Sequence, residues 1–224
     1  MTDNLQLIIS TVSDTQADDI KAYYQANGFV ETILHLVNDV WNKETLDNCK
    51  AAIDNGDTES PLYDLMFIRF QIQRHFEITN SHRAWVVKSF ERLREFVPNM
   101  TEEDANKHDL SKYDFVQAVG YTAKWVHDVA WGNSTWQAAL QDHYRRESHH
   151  PQFFEKTQRM TRKDLEESLV DMVACRWERD LNGDEGVSLF DLVNFEEKFL
   201  KRYVKDDFDD VIALIKDIQT KSGQ

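Results

Sequence analysis

The chain has 224 residues, enough for one sizeable domain or for a core with a smaller appendage. Forty acidic against twenty-six basic side chains give a formal charge of −14, which repels nucleic-acid backbones and anionic membranes, so neither extended nucleic acid nor a membrane is an expected partner. Seven Gly, three Pro, 12% aromatics and 29% charged residues favour a helical globular protein over a β-sandwich or a disordered chain, and the expected class is all-α.

The opening "MTDNLQLIIS" has neither a basic segment nor a long apolar one, and no apolar run reaches the length of a membrane span. Cys49 and Cys175 lie far apart with no CxxC spacing, which fits a reducing, cytoplasmic setting. From "SDTQADD" the apolar residues Ile20, Tyr23 and Tyr24, then Val30, Ile33, Leu34, Val37 and Val40, recur at helical spacing on either side of Gly28 and predict two helices with a short joint. "DNGDTESP" at 54–61 reads as a loop.

Helical spacing resumes at Leu62, and after "TNS" a fresh helix is predicted through "HRAWVVKSFERLREF", with His82 in its first turn and "VPN" stopping it. Further helices are predicted at roughly 111–130, 134–147, 162–179, 189–204 and 207–219. No repeat or low-complexity tract appears. The expected organisation is an N-terminal helical extension over 1–75 and a helical domain over 76–224.

Six of the eight histidines (His82, His108, His127, His143, His149 and His150) fall between residues 82 and 150, a clustering that hints at convergence in space. Imidazole and carboxylate suit Zn, Fe, Mn and similar ions. Asp171 interrupts the apolar run "LVDMVAC", and a carboxylate among such neighbours needs a cation or a hydrogen-bond partner.

In order, His82, the His108-Asp109 dipeptide, the His149-His150 pair and Asp171 resemble the HD-domain superfamily, whose minimal signature is H…HD…D. The resemblance covers about residues 78–180 and is closest to small, mostly uncharacterised HD-like proteins of bacteria and phages. "HDLSK" and "HHP" are also similar to the HDxGK and HH elements of HD-GYP phosphodiesterases, although Ser111 stands where those have glycine and the GYP tripeptide is absent.

The resemblance implies an HD-domain-like helical bundle. It implies one divalent cation held by His82, His108, Asp109 and Asp171, and a second, bridged by Asp109, with His143, His149 and His150. Fe, Mn, Zn, Co and Mg are all candidates. Lys112 would meet the phosphate of a small phosphorylated substrate or protonate a leaving group. The implied activity is a metal-dependent phosphohydrolase in which Asp109 and Lys112 are the catalytic residues.

Two cations sharing a carboxylate suit that chemistry on physical grounds, since they activate water and stabilise charge on both attacking and leaving oxygens. A helix beginning at Leu110-Ser111 would place Lys112 one turn after His108 on the same face and add positive potential for an anion. Two other readings share these residues: an HD-fold di-iron oxygenase, and a non-catalytic module that binds a nucleotide or another anion.

Other polar residues keep ordinary alternatives. Arg145 and Arg146 could clamp a phosphate or pair with acidic neighbours, and His35, His75 and His127 lie outside the pattern. Trp85, Trp125, Trp131, Trp136 and Trp177 are mostly expected in the core, with one free to stack on a nucleobase. "DLNGDEGVSLFD" at 180–191 has EF-hand-like spacing but Glu185 at the turn position that wants glycine, so a polar inter-helix loop is the first expectation and calcium the second.

Overall fold

Apolar residues at helical spacing fold as helices through most of the chain, and a computed structural model describes residues 3–154 and 158–222. Every regular element among them is helical, so the protein is all-α. In chain order the helices are α1 (Asn4–Ile9), α2 (Asp14–His35), α3 (Lys43–Asp54), α4 (Pro61–Tyr63), α5 (Ile72–Leu93), α6 (Glu102–Lys107), α7 (Phe115–Trp125), α8 (Ser134–Arg146), α9 (Arg162–Arg179), α10 (Leu189–Leu192), α11 (Glu197–Val204) and α12 (Phe208–Ser222). No helix is long and apolar enough to cross a membrane among the described residues.

Local chemistry explains where these bounds depart from the periodic pattern. The joint at Gly28 is a kink inside α2, at φ 80°, where Thr32 Oγ1 donates to the Gly28 carbonyl at 2.7 Å. The break predicted at "TNS" does not occur, because Thr79 is buried and Ser81 Oγ donates to Glu178 at 2.5 Å, contacts that override weak helix propensity. Thr101 and Asp104 form a reciprocal capping box that starts α6, a helix the apolar spacing does not announce. The helix predicted from 111 begins at Phe115, and the one predicted over 189–204 is split into α10 and α11.

The chain divides into two compact units: Met1–Glu77 with Lys112–Gln141, and Ile78–Ser111 with Asp142–Gln224. Sequence alone suggests a single cut near residue 75. The N-terminal unit instead also takes in the later segment, because Ala118, Val119, Trp136 and Ala139 share an apolar core with Ile33, Leu36, Leu65 and Phe70. Cys49 lies in that core, where burial pushes its thiol up to about 12. Neither cysteine is in a disulfide.

Within this unit α7 and α8 meet at Gly120. A Cβ there would lie 2.2 Å from Ala139 Cβ and 2.8 Å from the Thr135 carbonyl oxygen. His75 and His127 are structural, bonding the carbonyls of Lys112 at 3.0 Å and Phe70 at 2.8 Å. Trp136 is buried while Trp125 and Trp131 are exposed.

The second unit has its own core, in which Val86, Leu93, Leu169, Val173, Trp177 and Ile218 are fully or almost fully buried. The 180–191 loop closes against it: Trp177 Nε1 donates to the Asp184 carbonyl at 2.7 Å, and Gly183, at φ 69°, passes over the Trp85 ring. Its acidic groups face different partners. Asp184 Oδ1 accepts from Gly186 N at 2.8 Å, Glu185 pairs with Lys88 at 2.7 Å and Asp191 accepts from Ser188 Oγ at 2.6 Å, an arrangement of a polar connector.

The closeness of α7 to α8 leads to the first prediction. Gly120→Ala must push apart two helix backbones, so a loss of about 1–3 kcal/mol is expected. It should appear as a lower denaturant midpoint at unchanged slope; an unchanged midpoint would show that the interface can relax.

Candidate metal centre

Five elements of the second unit carry the cluster. His82 comes from α5, His108 caps the C-terminal end of α6 and Asp109 follows it. His143 comes from α8, His149 and His150 from the connection after it, and Asp171 from α9. The His108-Asp109 pair therefore sits at a helix end and not at a helix start. Asp109 takes a left-handed φ of 58°, and only a four-residue 3₁₀ turn follows at Leu110–Tyr113. Arg83 braces this corner, donating from Nε to the His108 carbonyl at 2.9 Å and from its terminal nitrogen to the Asn106 carbonyl.

Asp109, 1% exposed, presents its two oxygens to two different sets of imidazoles. Oδ2 lies 3.3 Å from His82 Nε2 and 3.5 Å from His108 Nε2, and Asp171 Oδ1 lies 3.1 and 3.7 Å from the same two nitrogens. Oδ1 lies 3.6 Å from His143 Nε2 and 3.9 Å from His149 Nε2, while His143 Nε2 is 2.9 Å from His150 Nε2. Donor atoms around one first-row cation, each about 2.0–2.2 Å from it, stand about 3.0–3.5 Å apart. The observed separations fall in or near that range.

The donors also have the chemistry of ligands. Nε2 of both His108 and His149 is buried without a hydrogen-bond partner, a costly state for a polar atom. Among the described residues three groups have donor atoms mutually within 4.8 Å: His82, His108 and Asp171; His143, His149 and His150; and His108, His149 and Glu167. These buried histidines and carboxylates can hold a metal ion.

The cluster compensates its own charge. For His108, burial alone would lower the pKa, but Asp109, Asp171 and Glu167 outweigh it and raise it to about 10. His82 is raised in the same way, against burial, by Asp109, Asp171 and Cys175. Asp171, which is buried, and Glu167, which is partly buried, are desolvated yet held below the carboxylate range by their histidines, Glu167 at about 2. Burial, reinforced by His149 and His143, lowers His150 well below the ordinary imidazole value.

The structure thus brings together His82, His108, Asp109, His143, His149, His150 and Asp171. Lys112 belongs to the other unit, where its ammonium lies 5.3 Å from the Tyr121 ring centroid. Its expected place one helical turn after His108 is corrected by the left-handed corner at Asp109. Arg145 and Arg146 pair with Asp142 at 3.6 and 3.5 Å.

Three neighbours were not anticipated. Glu167 accepts from His108 Nδ1 at 3.1 Å, Tyr203 Oη donates to Asp171 Oδ2 at 3.1 Å, and Cys175 Sγ lies 3.7 Å from Asp171 Oδ1 and 3.9 Å from His82 Nδ1. Glu167 and Cys175 stand four residues before and after Asp171, a spacing that puts them on its helix face and could have found them. Nothing in the local sequence points to Tyr203.

A family model described as "Family of unknown function (DUF5662)" matches residues 71–216, a span that contains the whole cluster. No curated protein and no solved structure matches the chain.

The charge compensation within the cluster sets its pH dependence. A histidine raised to about 10 stabilises the fold fully below its unfolded value of 6.5 and loses that contribution as pH rises through about 10. A cation must displace this proton, so its affinity should increase with pH across that window, with proton release measurable by calorimetry in buffers of different ionisation enthalpy. Affinity that stays flat over the window would remove His108 from the ligand set.

Proposed function

We propose that this chain, which belongs to the DUF5662 family of unknown function, is a metal-dependent phosphohydrolase with an HD-like pair of cation sites. The observation that carries the reading is the division of Asp109: one oxygen faces His82 and His108 beside Asp171, the other faces His143 and His149 beside His150. In this reading His82, His108, Asp109 and Asp171 hold one divalent cation, and His143, His149 and His150 complete the other with Asp109. Bound divalent cations (Fe, Mn, Zn, Co or Mg) supply Lewis acidity that activates water and neutralises charge on a phosphoryl group.

The chain's own residues support that use. Burial of Asp109, His108, His143 and His149 gives the donors a low-dielectric setting in which electrostatic interactions are strong. Tyr203 occupies Oδ2 of Asp171 and so leaves Oδ1 toward His82 and His108. The formal charge of −14 favours a small phosphorylated substrate over a polyanion. A donor set this rich in imidazole also suits iron, and it favours a second reading, a di-iron oxygenase on the same residues.

Elemental analysis of the purified protein beside Asp109→Ala tests the reading. Wild type is expected to carry about one or two ions per chain, and the variant to lose them together with at least ~100-fold of any phosphatase turnover in Mn²⁺ or Co²⁺ under anaerobic conditions. Iron with oxygen-dependent turnover would replace the hydrolase by the oxygenase. No metal after anaerobic reconstitution with Fe²⁺, Mn²⁺ or Zn²⁺ would remove both.

A further inference from the structure

Glu166 and Glu167 are adjacent on α9, and the structure uses them for different ends. Glu166 is fully buried and ties the chain around Asn99: Oε2 accepts from Asn99 N at 2.7 Å and Met100 N at 3.2 Å, and Oε1 accepts from Asn99 Nδ2 at 2.8 Å and Arg162 Nε at 3.0 Å. Every one of those partners is structural. Glu167 instead turns Oε1 toward two imidazoles, 3.1 Å from His108 Nδ1 and 3.5 Å from His149 Nδ1.

These two imidazoles belong to different halves of the cluster. Their ring centroids are 4.3 Å apart, and on the side away from Glu167 their Nε2 atoms face opposite oxygens of Asp109, at 3.5 Å for His108 and 3.9 Å for His149. Two carboxylates therefore enclose two rings. An imidazole that donates Nδ1–H to a carboxylate keeps its lone pair on Nε2, gains basicity and has its ring orientation fixed. Both Nε2 atoms are buried and without hydrogen-bond partners, as that tautomer requires of a ligand atom; Glu167 forms a hydrogen bond with His108 Nδ1, while His149 Nδ1, at 3.5 Å, is within ion-pair distance and has no hydrogen-bond partner of its own.

His108, His149 and Glu167 also satisfy the spacing of a metal-holding group by themselves. An ion on their Nδ1 atoms would compete with the Nε2 arrangement, because a neutral imidazole offers one lone pair. The group thus reads as an outer carboxylate serving two ligands and not as a third ion site.

We propose that Glu167 is a positioning residue shared by the two cation sites: one carboxylate orients a histidine of each, so that both sites depend on it. The proposal rests on the two-cation reading above and adds to it a residue that lies outside its ligand set.

Cobalt titration followed by visible absorption tests it, because the ligand-field bands report ligand geometry independently of turnover. Wild type should bind two equivalents. Glu167→Gln, which keeps the shape and removes the charge, should weaken both by about 10–100-fold and shift the bands. Glu166→Gln should lower the melting temperature and leave the cobalt titration unchanged.

A Glu167→Gln titration that superimposes on wild type would overturn the proposal and leave the metal centre standing. Weakening of a single equivalent would overturn the sharing. Absence of cobalt binding in wild type would overturn this proposal and the metal reading together. Should Glu167→Gln fail to fold, Glu167→Asp takes its place, with a smaller expected loss that again falls on both equivalents.

Discussion

The arrangement of the second unit turns on a single constraint: the Asp109 carboxylate is removed from water and must find its compensation inside the protein. Four histidines supply it, two at each oxygen, and they arrive from α5, the end of α6, α8 and the connection that follows α8. His82, His108 and His149 are in turn partnered by carboxylates of α9, so positive and negative groups alternate inward from the helix faces. Outside this cluster the same helices are ordinary, packing Val86, Leu169 and Val173 into an apolar core. Packing holds the elements in place, and the alternation of charge makes the buried polar groups tolerable there.

The two glutamates of α9 illustrate how context divides one residue type. Glu166 and Glu167 have the same local sequence and the same helix, yet one is spent on backbone amides at Asn99 and Met100 and the other on imidazoles. The 100° between successive helix positions accounts for the split. It also places Glu167, Asp171 and Cys175 along one line of α9 facing the cluster, with Glu166 off that line.

Much of the fold was legible because periodic apolar spacing identifies helices wherever a helix buries one face. It failed where another force set the boundary. Side-chain contacts carry α5 through "TNS", a capping box starts the polar α6, and a left-handed corner ends it at Asp109. The same corner undid the placement of Lys112, which assumed a regular helix beginning at Leu110-Ser111 with His108 on its face. The ligand candidates stood out because six of the eight histidines cluster between residues 82 and 150 and Asp171 interrupts an apolar run, whereas Glu167 is one Glu in an acidic chain and Tyr203 lies thirty-two residues from the aspartate it touches. The later segment of the N-terminal unit was hidden too, since sequence does not show that Trp136 and Ala139 pack with Ile33.

The left-handed backbone at Asp109 narrows what evolution or design can place there. At φ 58° glycine, asparagine and aspartate are the comfortable residues, because a short polar side chain tolerates the crowding that longer or branched ones do not. A group that meets histidines with both of its oxygens must be a carboxylate, which admits only aspartate and glutamate. The two permitted sets share one member. Steric and chemical demands thus select aspartate independently, and substitution by its nearest homologue, glutamate, trades a preserved charge for a strained backbone.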